Sequence, residues 1–277
     1  LELSGVVEKV GKDVTSLKQG DRVFALTRQG AYAEYVCLPA AHTEIVPENM
    51  SFEEAAALSV TYLSAYHGLI TLAHIQKGEK LLLHAAAGGV GTAAIQISKH
   101  LGAEVFAAAG TKEKLAVARR QGADYLINYR TEDFSKIIRS QTKGYGVDVV
   151  MDSVGGSVFR KGWKLLAPMG RYVLYGLAAV TGERKIKKLA ALREIASMSW
   201  IFPPSIVSKN VSLMGFNLYF LAHKVDYFRN VAKEILEWYR TGIIRPVVGS
   251  IFPFEQITEA QAFLQSRKSY GKVLVVL

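Results

Sequence analysis

Residues 84–96 read His84-Ala85-Ala86-Ala87-Gly88-Gly89-Val90-Gly91-Thr92-Ala93-Ala94-Ile95-Gln96, with three glycines crowded between an apolar run and a helical pattern. Such a stretch is either a phosphate cradle or a tight, well-packed turn, and its surroundings decide between them. Before it, Lys80–His84 reads as a short apolar strand. After it, Gly91–His100 has helical spacing, with Gly102 where a C-cap belongs. A strand, a glycine turn and a helix in that order form the context in which G-x-G-x-x-G carries meaning. The motif falls on Ala86, Gly88 and Gly91, so alanine replaces the first glycine, which is tolerable if that position does not need a positive φ. Gly88 would let the backbone approach a pyrophosphate and Gly91 would let the helix press on the sheet. The first-turn N–H groups, with Ala87, Gly88, Gly89 and Val90 lining the turn, would face the phosphates.

Outward from this turn, short apolar strands alternate with amphipathic helices. Strands are predicted at Lys80–His84, Glu104–Ala108, Tyr125–Asn128, Val147–Asp152, Gly170–Leu174 and Val211–Phe216. Helices are predicted at Gly91–His100, Lys112–Gln121, Asp133–Gln141 and Phe159–Leu166, with Gly122 as a second C-cap. Such alternation implies an α/β fold with a six-stranded, doubly wound parallel sheet of the Rossmann type. Residues 182–210, between the fifth and sixth strands, read as a lid or substrate-side excursion.

The chain opens differently. Leu1–Val7, Val6–Val10, Asp21–Ala25 and Ala33–Leu38 suggest a small β-rich module, followed by helices at Phe52–Leu58, with Ser51 as N-cap, and Ser64–Ala73. A long helix at Asp226–Thr241 precedes extended segments at Pro246–Phe254 and Gly271–Leu277, which have no place in a finished six-stranded sheet. They are expected to return to the opening module, giving residues 1–60 with 247–277 as one discontinuous domain and 61–246 as the dinucleotide-binding domain. The chain starts inside a strand pattern without Met, so its natural start is expected to lie upstream.

Composition narrows the classes. The single cysteine, Cys37, excludes a disulfide framework and suits a reducing, cytoplasmic compartment. No apolar run reaches the roughly 18 residues of a membrane span. The net charge of +10, from 34 basic and 24 acidic residues, could favour nucleic acid, acidic lipid or an anionic cofactor. The basic residues are mostly scattered, however, and only Arg184–Lys188 forms a dense cluster.

The end of the second strand bears on the cofactor. NAD-binding units want Asp or Glu about 20 residues beyond the turn, on the ribose hydroxyls. Here the chain reads Ala108-Ala109-Gly110-Thr111-Lys112-Glu113-Lys114. A 2′-phosphate would meet small residues, a hydroxyl and cations. Lysine is disfavoured at a helix N-terminus, so an anion there would rationalise Lys112 and Lys114, and NADPH is favoured over NADH. No H-E-x-x-H, multi-cysteine zinc pattern or G-x-S-x-G elbow occurs. Asp148 and Asp152 share a strand and read as sheet structure rather than a catalytic dyad.

Gly78-Glu79-Lys80-Leu81-Leu82 with Ala86–Gly91, Gln96 and Lys99 resembles the quinone oxidoreductase and zeta-crystallin branch of the medium-chain dehydrogenase/reductase superfamily. Gly20–Val23, Gly30–Glu34, Ile127–Arg130 and Val147–Asp152 extend the likeness over essentially the whole chain. Lys161-Gly162, Leu165–Gly170 and Tyr175-Gly176 resemble the subgroup related to synaptic-vesicle membrane proteins. Enoyl reductase domains of polyketide and fatty-acid synthases are similar as well.

The resemblance implies that the discontinuous module is a GroES-like domain. It also implies zinc independence, since Leu1 stands where zinc-dependent relatives carry a ligand histidine. It assigns Gly110, Thr111, Lys114, Tyr129 and Arg267 to the adenosine phosphate end of NADPH. Ser64, Tyr175, Gly176, Leu177, Phe216, Asn217 and Leu218 fall to the nicotinamide end.

The expected reaction is zinc-independent hydride transfer from NADPH to a hydrophobic quinone or α,β-unsaturated carbonyl. Tyr62, Ser64 and Tyr66 are proton-donor candidates by location only. Relatives pair the sixth strand across a two-fold axis, so a homodimer through Val211–Phe216 is expected. The rival reading is a catalytically weak, NADPH-binding protein acting at a membrane surface or on RNA, motivated by Arg184–Lys188 and the apolar Trp200–Pro204 stretch.

Overall fold

The computed structural model describes residues 1–181, 188–198 and 203–277. They form two compact units, one of Ala65–Asn217 and one of Leu1–Ser64 together with Leu218–Leu277.

The first of these, the sheet unit, contains strands β1 (Lys80–Leu83), β2 (Glu104–Ala109), β3 (Tyr125–Asn128), β4 (Val147–Asp152), β5 (Leu166–Leu174) and β6 (Ser212–Gly215). All pairings are parallel, in the order β3-β2-β1-β4-β5-β6. This is the order of the two-half dinucleotide fold, with the reversal between β1 and β4. Helices α1 (Gly89–His100), α2 (Lys112–Arg120), α3 (Phe134–Gln141) and α4 (Gly156–Trp163) connect them. Gly102 and Gly122, at φ 77° and 105°, follow α1 and α2 in the left-handed conformation that ends a helix at little steric cost.

Both faces of the sheet are covered, which explains why its strands read as unbroken apolar runs rather than alternating ones. On one face Leu82, Phe106, Ala108, Ile127, Val150 and Tyr172 form a layer against Phe134 and Ile138 of α3 and Phe159 and Trp163 of α4. On the other, Leu81, Leu83, Val105, Ala107, Val149 and Met151 are fully buried. The predicted helix Phe159–Leu166 is displaced: α4 opens at Gly156, after Gly155 at φ 72°, and ends at Trp163, so Leu166 already begins β5.

The terminal unit holds an antiparallel sheet of Glu2–Val6, Arg22–Leu26 and Thr43–Ile45, and a parallel pair, Val248–Pro253 with Lys272–Val276. The two ends of the chain thus share one unit, as expected, but their strands form separate sheets. The predicted strand Val6–Val10 is not one. Val7 exchanges hydrogen bonds with Gly20 and Asp21, and the chain then leaves the sheet. The predicted strand Ala33–Leu38 is absent too: Tyr35 is 77% exposed, and Thr43–Ile45 pairs with Arg22–Leu26 instead.

The domain boundary also needs correction. Helix Val225–Arg240 belongs to the terminal unit rather than to a domain spanning 61–246. Its Tyr239 hydroxyl donates to the Glu54 carboxylate at 2.7 Å, and Arg229 lies 3.9 Å from Glu44. Helix Phe52–Tyr66 begins with Ser51 as expected: Glu54 N–H donates to Ser51 Oγ and Ser51 N–H to the Glu54 carboxylate, a reciprocal capping box. Glu2 joins three parts of this unit, pairing with Lys272 and accepting from the Val60 N–H at 2.7 Å.

Helix Phe52–Tyr66 continues as wider π-type turns through His67–Leu72. Although no unbroken apolar run is that long, an 18-residue window of this 21-residue helix has the length and composition of a membrane span. Two thirds of the window is buried within the protein, as in a core helix.

Candidate cofactor-binding site

In the sheet unit, the carboxyl ends of all six parallel strands lie along one edge, where ligands of open α/β sheets bind. At the end of β1 the chain turns sharply, with Ala85 at φ 52°. The left-handed residue is therefore Ala85 and not Ala86, which explains why alanine is acceptable at the motif's first position. The Ala86 N–H donates to Ala108 O of β2 at 3.1 Å and the Gly88 N–H to Ala85 O at 2.9 Å, which fixes the turn. Gly88, at φ −73° and ψ 171°, caps α1 with no side chain of its own.

A Cβ on Gly91 would stand 2.6 Å from both the carbonyl carbon and oxygen of Ala86. The helix thus presses on the turn itself rather than on the sheet. The N–H groups of Gly89, Val90 and Gly91 open the helix and have no preceding helical carbonyl to bond. A bare turn with outward N–H groups and the positive helix end fits a pyrophosphate.

The end of β2 faces that of β3, because Ala109 is in register with Asn128 and accepts from the Tyr129 N–H. Thr111 caps α2 by accepting from the Lys114 N–H at 3.3 Å. A Cβ on Gly110 would lie 2.6 Å from Tyr129 Oη and 3.2 Å from Arg130 Nε. Burial lowers the pKa of the Lys114 ammonium, and the Arg130 charge lowers it further. The structure brings Gly110, Thr111, Lys114 and Tyr129 close together. It adds Arg130, whose part was not seen in the sequence.

At the ends of β5 and β6, Tyr175 and Phe216 stack with centroids 5.7 Å apart and planes 11° apart. The His67 ring meets Phe216 edge-on at 4.9 Å. Burial pushes the Tyr175 hydroxyl up to about 12, opposed by a hydrogen bond with Ser153 and reinforced by Asp152. A Cβ on Gly68, in the π-type turns, would lie 2.8 Å from Met151 Cε and 3.3 Å from the Phe216 ring. Gly176 passes Ser153 closely, and Leu177 packs at Gly155. Asn217 ends this unit.

Ser64, Tyr62, Leu218 and Arg267 belong to the terminal unit. Tyr62 and Ser64 are buried there, at 2% and 6% exposure, while Arg267 is exposed at φ 58°. Tyr66 is half-buried in the sheet unit. Tyr62 and Tyr66, four residues apart, share a helix face that Ser64 does not.

Asp152 is wholly buried, accepting from the Val154 and Gly155 N–H groups and from Tyr172 Oη at 2.7 Å, and Asp148 accepts from the Lys80 N–H at 2.8 Å. Both acids brace the sheet, as the sequence suggested. His84 is buried with Nε2 unpartnered among the described residues, and its desolvation favours the neutral ring.

Two family profiles match the chain: a zinc-binding dehydrogenase domain over residues 89–237 and an alcohol dehydrogenase GroES-like domain over 1–48. The human synaptic vesicle membrane protein VAT-1 homolog is 38% identical over 277 residues, covering 100% of this chain and 70% of its own length. The chain belongs to the medium-chain dehydrogenase/reductase superfamily. It spans 57% of the zebrafish VAT-1 homolog.

Solved members of this superfamily superpose over nearly the whole chain. A mycobacterial protein complexed with NADPH matches at TM-score 0.86 and 30% identity, covering 100% of this chain and 81% of the other. A Pseudomonas syringae quinone oxidoreductase matches at 0.82 and 30%, covering 100% and 81%. The CurK enoyl reductase matches at 0.82 and 32%, covering 99% and 77%.

Among the described residues of this dehydrogenase/reductase fold, no group of side chains fits a zinc site. Among the described residues no three His, Cys, Asp or Glu side chains converge, and Cys37 is exposed. The Arg184–Lys188 cluster, apart from Lys188, and Trp200–Phe202 lie outside the described residues, as does part of the 182–210 insert.

Proposed function

We propose that this member of the superfamily is an NADPH-dependent, zinc-independent reductase of quinones or α,β-unsaturated carbonyls. The observation that carries the proposal is the arrangement beyond β1 to β3. A bare glycine turn opens α1, while the next two strand ends offer a hydroxyl and cations where an NAD-specific fold places a carboxylate. The likeness to quinone and enoyl reductases supports the acceptor class.

Bound NADPH would supply the hydride. The turn from Ala87 to Val90 would hold the pyrophosphate through its N–H groups. Gly110, Thr111, Lys114 and Tyr129 would hold the 2′-phosphate, and the family resemblance assigns Arg267 to the same group. Tyr175–Leu177 and Phe216–Leu218 would orient the nicotinamide, the stacked Tyr175 and Phe216 rings forming an apolar wall that excludes water. Reduction of a quinone or enone leaves an oxyanion, which needs only hydrogen bonds and then a proton. Tyr62, Ser64 and Tyr66 are the proton-donor candidates, and of these Tyr66 is the one that is not buried. A homodimer formed through edge strand β6, in a cytoplasmic setting, completes the proposal.

The test is NADPH oxidation, followed by absorbance, against benzoquinones, alkenals and alkenones of increasing apolar length. Consumption with at least one class is expected. NADPH binding without turnover across the panel would refute the reductase reading. A monomeric mass by light scattering would remove the dimer.

A further inference from the structure

The neighbourhood of Gly110 holds one charged group that the cofactor proposal leaves idle. Arg130 follows Tyr129 at the end of β3, and its Nε lies 3.2 Å from where a Gly110 Cβ would stand. Local bonds fix this turn: the Arg130 N–H donates to Asn128 Oδ1 at 3.1 Å and the Thr131 N–H to Asn128 O at 3.0 Å. The nearby carboxylate of Glu132 accepts from the Asn128 N–H at 2.7 Å. Glu113 is engaged by its own N–H and by Thr111, at the start of α2. Among the described residues, no carboxylate forms an ion pair with the Arg130 guanidinium.

Two like charges are thus held near one another, Lys114 in the first turn of α2 and Arg130 just beyond the end of β3. Without an anion they repel, and the Lys114 ammonium feels the Arg130 charge. A phosphate monoester, carrying about −1.5 to −2 charges, reverses the sign of that interaction. A guanidinium adds a planar fork that can bind two phosphate oxygens, whereas lysine acts as a point charge.

We infer that Arg130 is a second specificity determinant for the 2′-phosphate, acting with Lys114 and Tyr129 across the bare backbone of Gly110. The inference rests on the NADPH reading above and names a residue that reading does not require.

The test is calorimetric binding of 2′,5′-ADP, 3′,5′-ADP and 5′-AMP to the protein and to its R130Q and R130K variants. R130Q is expected to weaken 2′,5′-ADP by roughly 10- to 100-fold while leaving 5′-AMP within about twofold. R130K, which keeps the charge and loses the fork, should fall between. Arg130 is exposed, so the unfolding temperature of R130Q should match that of the parent.

Unchanged 2′,5′-ADP binding in R130Q would overturn the role of Arg130 alone, provided the parent prefers 2′,5′-ADP to 5′-AMP. Equal losses for both nucleotides would overturn it as well, marking a structural role. A parent without that preference would sink the NADPH reading and this inference together. Equal binding of 3′,5′-ADP would overturn the assignment to the 2′ position.

Discussion

Gly91→Ala is expected to destabilise the sheet unit by roughly 3 kcal/mol or more, enough to lower its unfolding temperature by about 10 °C. Propensity alone predicts the opposite, since alanine in a helix is better than glycine by about 1 kcal/mol. Packing overrides it here because the added Cβ would meet the Ala86 carbonyl at 2.6 Å, and that neighbour is backbone. No rotamer change can relieve the overlap, so either the first turn of α1 unwinds or the whole turn shifts. Gly88→Ala offers a milder comparison, its Cβ meeting Ala85 O at 3.3 Å. Thermal unfolding followed by circular dichroism distinguishes the accounts. A Gly91→Ala protein as stable as its parent would show that the helix does not press on the turn as described.

The second large effect concerns cofactor choice. Lys114→Glu replaces an attractive cation with a carboxylate beside Tyr129 and Arg130, and should weaken NADPH binding by about 100-fold or more. NADH, which carries no 2′-phosphate, should lose little, because the new carboxylate can accept from a ribose hydroxyl as it does in NAD-specific folds. The side chain lies in the first turn of α2, and Thr111 caps the helix through the backbone N–H of residue 114, so the cap survives the change. Binding measured by fluorescence titration would give the ratio. Equal affinities for NADPH and NADH in the unmodified protein, or an unchanged ratio in the variant, would remove Lys114 from the phosphate site.

The sheet unit was readable because its information is local. Each strand is a short apolar run bounded by a glycine or a cap, and Tyr125–Asn128 and Val147–Asp152 match residue for residue. The glycine turn could be assigned because a strand precedes it and a helix follows.

What escaped the sequence depends on partners far along the chain. Ala33–Leu38 has the composition of a strand but pairs with no strand among the described residues, and Tyr35 stays exposed. Helix Val225–Arg240 has an amphipathic pattern that says what it buries but not against which unit. Contacts with Glu44 and Glu54 decide that. Arg130 escaped for a similar reason. Its proximity to Gly110 follows from the register of β2 on β3, with Ala109 opposite Asn128. Once that register is known, the residues just beyond each strand end must face one another.

The split of the terminal unit has a thermodynamic consequence of its own. Its two segments are joined through the entire sheet unit, which enters and leaves as one folded body. While that body is folded, it spans the gap as a short, stiff connector. Once it melts, the same segments must close a flexible loop on the order of 150 residues, at an entropic cost of about 4 kcal/mol. The Glu2–Lys272 pair and the other bonds between the two segments must then hold against that cost. Failure of the central unit therefore reaches the flanking one through chain entropy, whether or not their surfaces touch.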